Sequence, residues 1–217
     1  MKSFLLLFIL LLLVWSCKKK HDDPQPEKLD ELVYQTTFDD MTWSTRTGKH
    51  YTSAYNSSQL ALSVDTINWY GIEISPSQEL TYNYSVQVDV TILLDDPNKV
   101  GYGGFVYNYI DANNYCIFYV GTNGIFYAYK IEGGEYHILV YNTFSKDLLK
   151  GSSQKNKIEL RQYDNSQVVI LNGVTQASLP SQRPAGYLRV GLAVSSSSNY
   201  YTPTTALFDN FTIKKIY

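Results

Sequence analysis

Cysteine is nearly absent, with two residues in 217, and histidine and methionine are almost as scarce, at three and two. Two cysteines cannot build a disulfide framework. A folded body of this length buries roughly 70% of its extended surface, so none is needed. No two histidines stand at metal-ligand spacing and no Cys-x-x-Cys pair exists, which removes the common zinc motifs. Charge is sparse and balanced, 18 basic against 20 acidic side chains for a formal net charge of −2. With no Lys/Arg cluster in the body, this argues against a nucleic-acid partner. There is no phosphate loop: Gly101-Tyr102-Gly103-Gly104 lacks the Lys-Ser/Thr and the following helix. Nothing of the form Gly-x-Ser-x-Gly favours a serine nucleophile. No stretch of a dozen residues holds a helical apolar period, and no internal repeat is visible. The one long apolar run, Phe4 to Trp15, has 12 residues, whereas a spanning helix needs about 20.

That run follows Met1-Lys2-Ser3, a short basic segment, and so reads as the apolar core of a secretory signal. It ends in Val14-Trp15-Ser16-Cys17. A small residue just before a cysteine resembles the lipobox of bacterial lipoproteins, although Trp15 is bulkier than is usual there. The resemblance implies cleavage after Ser16 and lipid on Cys17. Cys116 then has no partner. It lies in the apolar stretch Tyr115 to Val120, where a free cysteine packs as a small hydrophobe. Residues 18–30 are charged and carry Pro24 and Pro26, so they cannot bury enough apolar surface to fold. They read as a tether, and Lys18, Lys19 and Lys20 suit anionic head groups. The block Ser16 to Lys20 resembles lipoproteins of the Bacteroidetes type. The expected organisation is a signal peptide over 1–16, a lipidated tether over 17–31 and one domain over 32–217. The expected location is the bacterial cell envelope, anchored by lipid in the outer membrane.

From Leu32 onward, short runs rich in Tyr, Val, Ile and Thr are cut by Gly, Asn, Asp and Pro. Strands are predicted near 33–38, 50–55, 59–64, 68–74, 82–94, 102–110, 114–120, 125–131, 135–141, 156–163, 167–171, 187–194 and 205–216. Short strands at this spacing argue an all-β sandwich or barrel. Alternation is plain in Ser85-Val86-Gln87-Val88-Asp89-Val90. Leu171-Asn172-Gly173-Val174 is a strong hairpin signal, and Gly121-Thr122-Asn123-Gly124 is a second.

Several short motifs then fall in a characteristic order. They are Thr37-Phe38-Asp39-Asp40, Gly103-Gly104-Phe105-Val106-Tyr107, Asp111-Ala112-Asn113-Asn114-Tyr115, Gly124 to Lys130, Leu171-Asn172-Gly173, Gly191-Leu192 and Phe208-Asp209-Asn210-Phe211. In this series the chain resembles the concanavalin A-like superfamily of lectins, laminin-G-like modules and glucanases. The resemblance implies a two-sheet antiparallel jelly-roll sandwich with ligands on a concave face. It also implies one structural Ca²⁺ where the first and last strands meet, with Asp39, Asp40 and Asp209 at the corresponding ends. The simpler reading of these three is that they shape turns and bond to backbone.

Fold does not give function. The glucanases of this superfamily carry Glu-x-Asp-x-x-Glu on one strand, and that spacing is missing here. Glu73, Asp89 and Glu159 lie in separate strands and alternate with apolar residues, as solvent-facing charges do. The binding signal is aromatic: 20 Tyr, nine Phe and three Trp. A sugar ring stacks on such rings, and tyrosine adds a polar tip. By strand parity, Cys116, Phe118 and Val120 share one face of 114–120, and Tyr115, Ile117 and Tyr119 the other. A three-residue loop with Gly124 at positive φ pairs Tyr119 with Tyr127 and Ile117 with Tyr129, giving a tyrosine surface on the non-core face. A two-residue loop instead sends Tyr127 and Tyr129 to the core. Trp69 and Tyr70 form a second aromatic pair. The alternative is that tyrosine simply suits half-buried sheets. Asp65-Thr66-Ile67 also matches the O-glycosylation site of exported Bacteroidetes proteins, with Thr66 as acceptor.

Three functions follow: a non-catalytic surface module that binds glycan, a glycoside hydrolase or lyase with carboxylates from separate strands, and a structural or protein-binding envelope component.

Overall fold

A computed structural model describes residues 29–77, 79–196 and 203–217. The signal peptide, Cys17 and nearly all of the tether lie outside them. The described residues form fifteen strands, numbered in chain order, and no helix.

Nine strands make one sheet. Its order is β13 (Val174–Pro180), β12 (Ser166–Leu171), β11 (Lys155–Gln162), β6 (Tyr84–Leu94), β15 (Thr204–Lys215), β4 (Gln59–Val64), β3 (Tyr51–Asn56) and β2 (Arg46–Thr47). β1 (Glu31–Thr36) is the ninth and pairs with the far end of β15, from Phe211 to Lys215. The second sheet has six strands. Its order is β10 (Glu135–Phe144), β9 (Ile125–Glu132), β8 (Asn114–Gly121), β7 (Gly101–Asp111), β14 (Arg189–Ser196) and β5 (Tyr70–Ile74). The pairings in both sheets are antiparallel.

The core lies between the sheets. From the nine-stranded side, Val86, Val88 and Val90 of β6 and Leu60, Leu62 and Val64 of β4 face Phe105, Phe118, Val120 and Leu192 of the other sheet, and all are fully or almost fully buried. β15 shows how parity is repaired. Ala206 and Phe208 point inward, and so do Phe211 and Ile213, one residue out of step. A bulge between Asp209 and Thr212, with Asn210 at φ 52°, absorbs the extra residue.

The Asn172-Gly173 hairpin forms with φ of 49° and 84°, the left-handed pair a two-residue turn demands. Its outgoing strand β13 was not among the sequence expectations, nor was β2. Both are edge strands whose side chains are largely exposed, so no buried alternation marks them.

One side of the sandwich is closed by a buried carboxylate. Glu73 of β5 is 5% exposed. Its Oε1 accepts hydrogen bonds from Arg46 Nε (2.7 Å), Tyr51 Oη (2.9 Å) and Ser53 Oγ (2.9 Å). Glu73 is therefore not the solvent-facing charge that alternation suggests. The inner face of an edge strand is reached by side chains of the opposite sheet, which β2 and β3 supply here. Arg46 also donates to the Ile72 carbonyl, capping a backbone acceptor on edge strand β5. Gly71 belongs to the same closure, since a Cβ there would sit 1.9 Å from the Tyr51 ring. Asp89 and Glu159 do lie on the outward side of the nine-stranded sheet, half-buried.

Candidate functional site

The β8–β9 hairpin takes the three-residue register. Tyr119 pairs with Tyr127 and Ile117 with Tyr129. Gly124 has φ 80° and its N–H donates to the Gly121 carbonyl at 3.0 Å. Cys116, Phe118, Val120, Phe126 and Ala128 consequently enter the inter-sheet core, and burial pushes the Cys116 thiol up to about 12, leaving it protonated and inert.

The tyrosines fall on the opposite, outer face of the six-stranded sheet. There they build a second apolar cluster with Val106, Ile117 and Ala193. Tyr119 is 1% exposed, and Tyr115 and Tyr129 are also buried, while Tyr127 is half-buried. This corrects the picture of a solvated tyrosine surface. Parity assigns a face but not a depth. Neighbouring rings cover one another: Tyr119 has Tyr127 at 5.3 Å and both Tyr102 and Tyr129 at 6.4 Å, and Tyr136 lies 4.8 Å from Tyr129. Loss of water raises the phenol pKa of Tyr115, Tyr119, Tyr127 and Tyr129, so each stays neutral.

Trp69 and Tyr70 stand at the rim, about half-exposed at 45% and 47%. Their loop is tied to β14. Trp69 N donates to Ser196 Oγ at 3.1 Å, Ser195 Oγ to the Trp69 carbonyl at 3.2 Å, and Ser196 Oγ to the Thr66 carbonyl at 2.6 Å. Asn68, at φ 51°, turns the chain sharply just before the pair. The His50 ring meets Trp69 edge-on at 5.4 Å and is itself held by Asp65 at 3.0 Å. Tyr70 Oη lies 3.2 Å from Tyr115 Oη, linking rim to floor.

Two depressions flank this rim. One, of about 410 Å³, is lined by Trp69, Tyr70, Tyr102, Tyr127, Tyr129 and Tyr136, with Asn68, Asn142, Ser195 and Ser196 supplying amides and hydroxyls. Among the described residues it holds no charged side chain. The other, of about 430 Å³, shares Asn68, Trp69 and Tyr70, and adds Tyr51, Tyr115, Ala112 and, as the single charged residue among the described ones, Arg46. The exposed lining of the first is mainly polar and that of the second mainly apolar, and both have the size of a small-ligand site. A larger hollow of about 930 Å³ opens elsewhere, beside Arg183 and Lys215. Its Arg183 is already engaged by Asn83 and Asp164.

Sequence reasoning found the floor and the rim but missed Tyr102, Tyr136, Asn68, Asn142 and Arg46. Tyr102 could have been reached by carrying parity across from β8 to β7. Tyr136 could have been reached in the same way across the Gly133-Gly134 turn, where it pairs with Ile131. Asn142 could not, because two bulges between Ile138 and Thr143 break the register of β10 against β9.

The three aspartates do not assemble. Asp39 accepts from Thr37 Oγ1 at 2.7 Å and Asp40 from Thr36 Oγ1 at 3.1 Å, both within their own turn. Asp209 lies opposite Asp89 on β6, with Lys155 at 3.7 Å. Among the described residues no three acidic, His or Cys side chains gather around a point where an ion would sit. Turn-shaping hydrogen bonds account for Asp39 and Asp40. Thr66 is half-buried in the β4–β5 loop.

No protein-family model and no curated protein sequence matches the chain. Solved structures do match in fold. The carbohydrate recognition domain of Emp47p aligns with a TM-score of 0.61 at 12% identity, covering 86% of this chain and 96% of that one. The laminarinase catalytic domain from Thermotoga maritima gives 0.58 at 8% identity, covering 88% and 100%. A Bacillus subtilis protein with a galectin-like fold gives 0.53 at 10% identity, covering 87% and 97%. At such identities the likeness concerns architecture alone. The described body is a two-sheet antiparallel jelly-roll sandwich, the architecture it shares with these domains.

Proposed function

We propose that the protein is a non-catalytic, surface-anchored module that binds glycan in the groove flanking Trp69 and Tyr70. The observation that carries this reading is the lining of that groove. Exposed aromatic faces stand over a floor of buried tyrosines, with amides and hydroxyls between them. Aromatic faces stack on the C–H side of sugar rings, and neutral polar groups take their hydroxyls. Glycoside hydrolysis needs two carboxylates flanking the bond. Among the described residues neither depression is lined by Asp or Glu, which favours binding over cleavage.

Trp69→Ala tests the site. Loss of a stacking ring commonly costs an interface about 1–2 kcal/mol, roughly ten- to thirtyfold in affinity. Because Trp69 is half-exposed, thermal stability should stay nearly unchanged. A glycan array, followed by titration of the best binder and melting curves of both forms, reads the two quantities. A Trp69→Ala protein that binds as well as the parent moves the site elsewhere.

The second reading is a protein-binding envelope component. It is favoured by edge strand β10, where Tyr136, Ile138, Tyr141 and Phe144 are all more than half exposed. An array on which the parent protein binds no glycan leaves that reading standing.

Anchorage belongs to the same proposal. It rests on Ser16-Cys17 after the apolar run and on the charged segment before β1. Cys17→Ala is expected to abolish metabolic labelling with a fatty acid and to release the protein from the membrane fraction or leave it uncleaved. Undiminished labelling in that variant removes the lipoprotein reading.

A further inference from the structure

We propose that the saccharide carries an anionic substituent, a carboxylate or a sulfate, on the unit that lies over Arg46; this rests on the groove being a glycan site. The two depressions on either side of the Trp69–Tyr70 rim differ in charge. Among the described residues the tyrosine-rich one has no ionised lining group, and the other has only Arg46.

Arg46 is pre-oriented. Its Nε is fixed to Glu73 at 2.7 Å, its Nη2 donates to the Ile72 carbonyl, and its guanidinium lies 5.4 Å over the Tyr51 ring. These contacts use one edge of the fork. Among the described residues Nη1 has no hydrogen-bond acceptor, and it remains for a ligand.

The Arg46–Glu73 pair sums to zero charge, but it is not symmetric toward the groove. The Arg46 side chain is 58% exposed and that of Glu73 is 6% exposed. The carboxylate sits behind, with Oε1 taken by three donors, and the positive end faces solvent. An incoming ligand therefore meets the guanidinium before the carboxylate. Tyr51 adds no opposing charge, because burial and the Glu73 carboxylate raise its phenol pKa and keep it neutral. Neither neighbouring acid lines this depression, and both are engaged by other side chains or backbone. Asp111, beside Ala112, accepts from the N–H of Asn113 and the amide of Asn114, and Asp65 is held by His50. A planar fork with free N–H groups matches carboxylate and sulfate oxygens, and such charge-assisted bonds are about twice as strong as neutral ones.

The ligand that fits is thus an oligosaccharide crossing the rim. A neutral unit lies over the tyrosines, and an acidic unit lies on the Arg46 side.

Matched oligosaccharides test this: a neutral one, its uronate-bearing counterpart and its sulfated counterpart, each titrated into the protein. At low salt at least one acidic form is expected to bind about tenfold or more tightly than the neutral form, and to lose that advantage near 1 M salt, where screening shortens to about 3 Å. The two acidic arms separate carboxylate from sulfate. Arg46 variants disturb the buried Glu73, so the second arm uses Ala112→Glu. Ala112 is exposed in the β7–β8 turn and lines the same depression. This substitution should remove the preference for acidic forms, read as the ratio of acidic to neutral affinity in the variant against the same ratio in the parent.

Equal binding of neutral and acidic forms overturns the inference, as does a preference that survives Ala112→Glu. Neutral binding that Trp69→Ala abolishes, without acidic preference, leaves the glycan site intact and sinks only this inference. A protein that binds none of the saccharides loses both.

Discussion

Replacing Tyr119 with alanine is expected to lower the unfolding free energy by about 3–5 kcal/mol, through the cavity left in a packed aromatic layer. For a domain of this size that corresponds to a drop in Tm of roughly 6–20 °C. Tyr119 is 1% exposed and is ringed by Tyr102, Tyr127 and Tyr129. Its position on the outer face makes it look like a ligand platform, yet its energetics are those of a core residue. Tyr119→Phe keeps the ring and gives up only the hydroxyl, which donates to the Val194 carbonyl at 3.4 Å, so its cost should be near 1 kcal/mol. Denaturant titration of the two variants beside Trp69→Ala separates floor from rim. If Tyr119→Ala melts with the parent protein, the buried tyrosine layer is not as described.

Glu73→Ala is expected to cost about 3 kcal/mol, roughly 6–12 °C in Tm. Cutting one partner from a buried ion pair commonly costs 3–5 kcal/mol. The lower end applies here because Arg46, left behind, is 58% exposed and rehydrates. The remaining loss comes from Tyr51 and Ser53, whose hydroxyls lose their acceptor in a buried place. Glu73→Gln has the same shape and still accepts hydrogen bonds, so it should lose distinctly less. A Glu73→Ala protein as stable as Glu73→Gln would show that the carboxylate does not close the side of the sandwich.

Much of this was legible before any coordinates. Strict alternation in 85–90 identified the inward valines of β6, and Asn172-Gly173 identified the turn that ends β12, without the strand that leaves it. Gly124 narrowed the β8–β9 register to two alternatives, and the structure chose the three-residue one, which places Tyr127 and Tyr129 on the outer face. These are local properties, governed by the two-residue period of a strand and by the few residues that tolerate positive φ. The bulge at Asn210 was not legible, because its purpose is to return Phe211 and Ile213 to a core assembled from other strands.

The sequence by itself determined the class of fold and the inward side of strands such as β6. Tertiary structure alone decided depth and company. It buried Tyr119 beneath its neighbours and drew Glu73 out of an alternating strand into a closure with Arg46. It kept Asp39 and Asp40 apart from Asp209, and it brought Trp69 of one loop over tyrosines from β7, β9 and β10. The reason is physical. Parity along a strand is a near-neighbour property, whereas solvent access and charge pairing depend on residues tens of positions away, and those meet only once both sheets have twisted and packed.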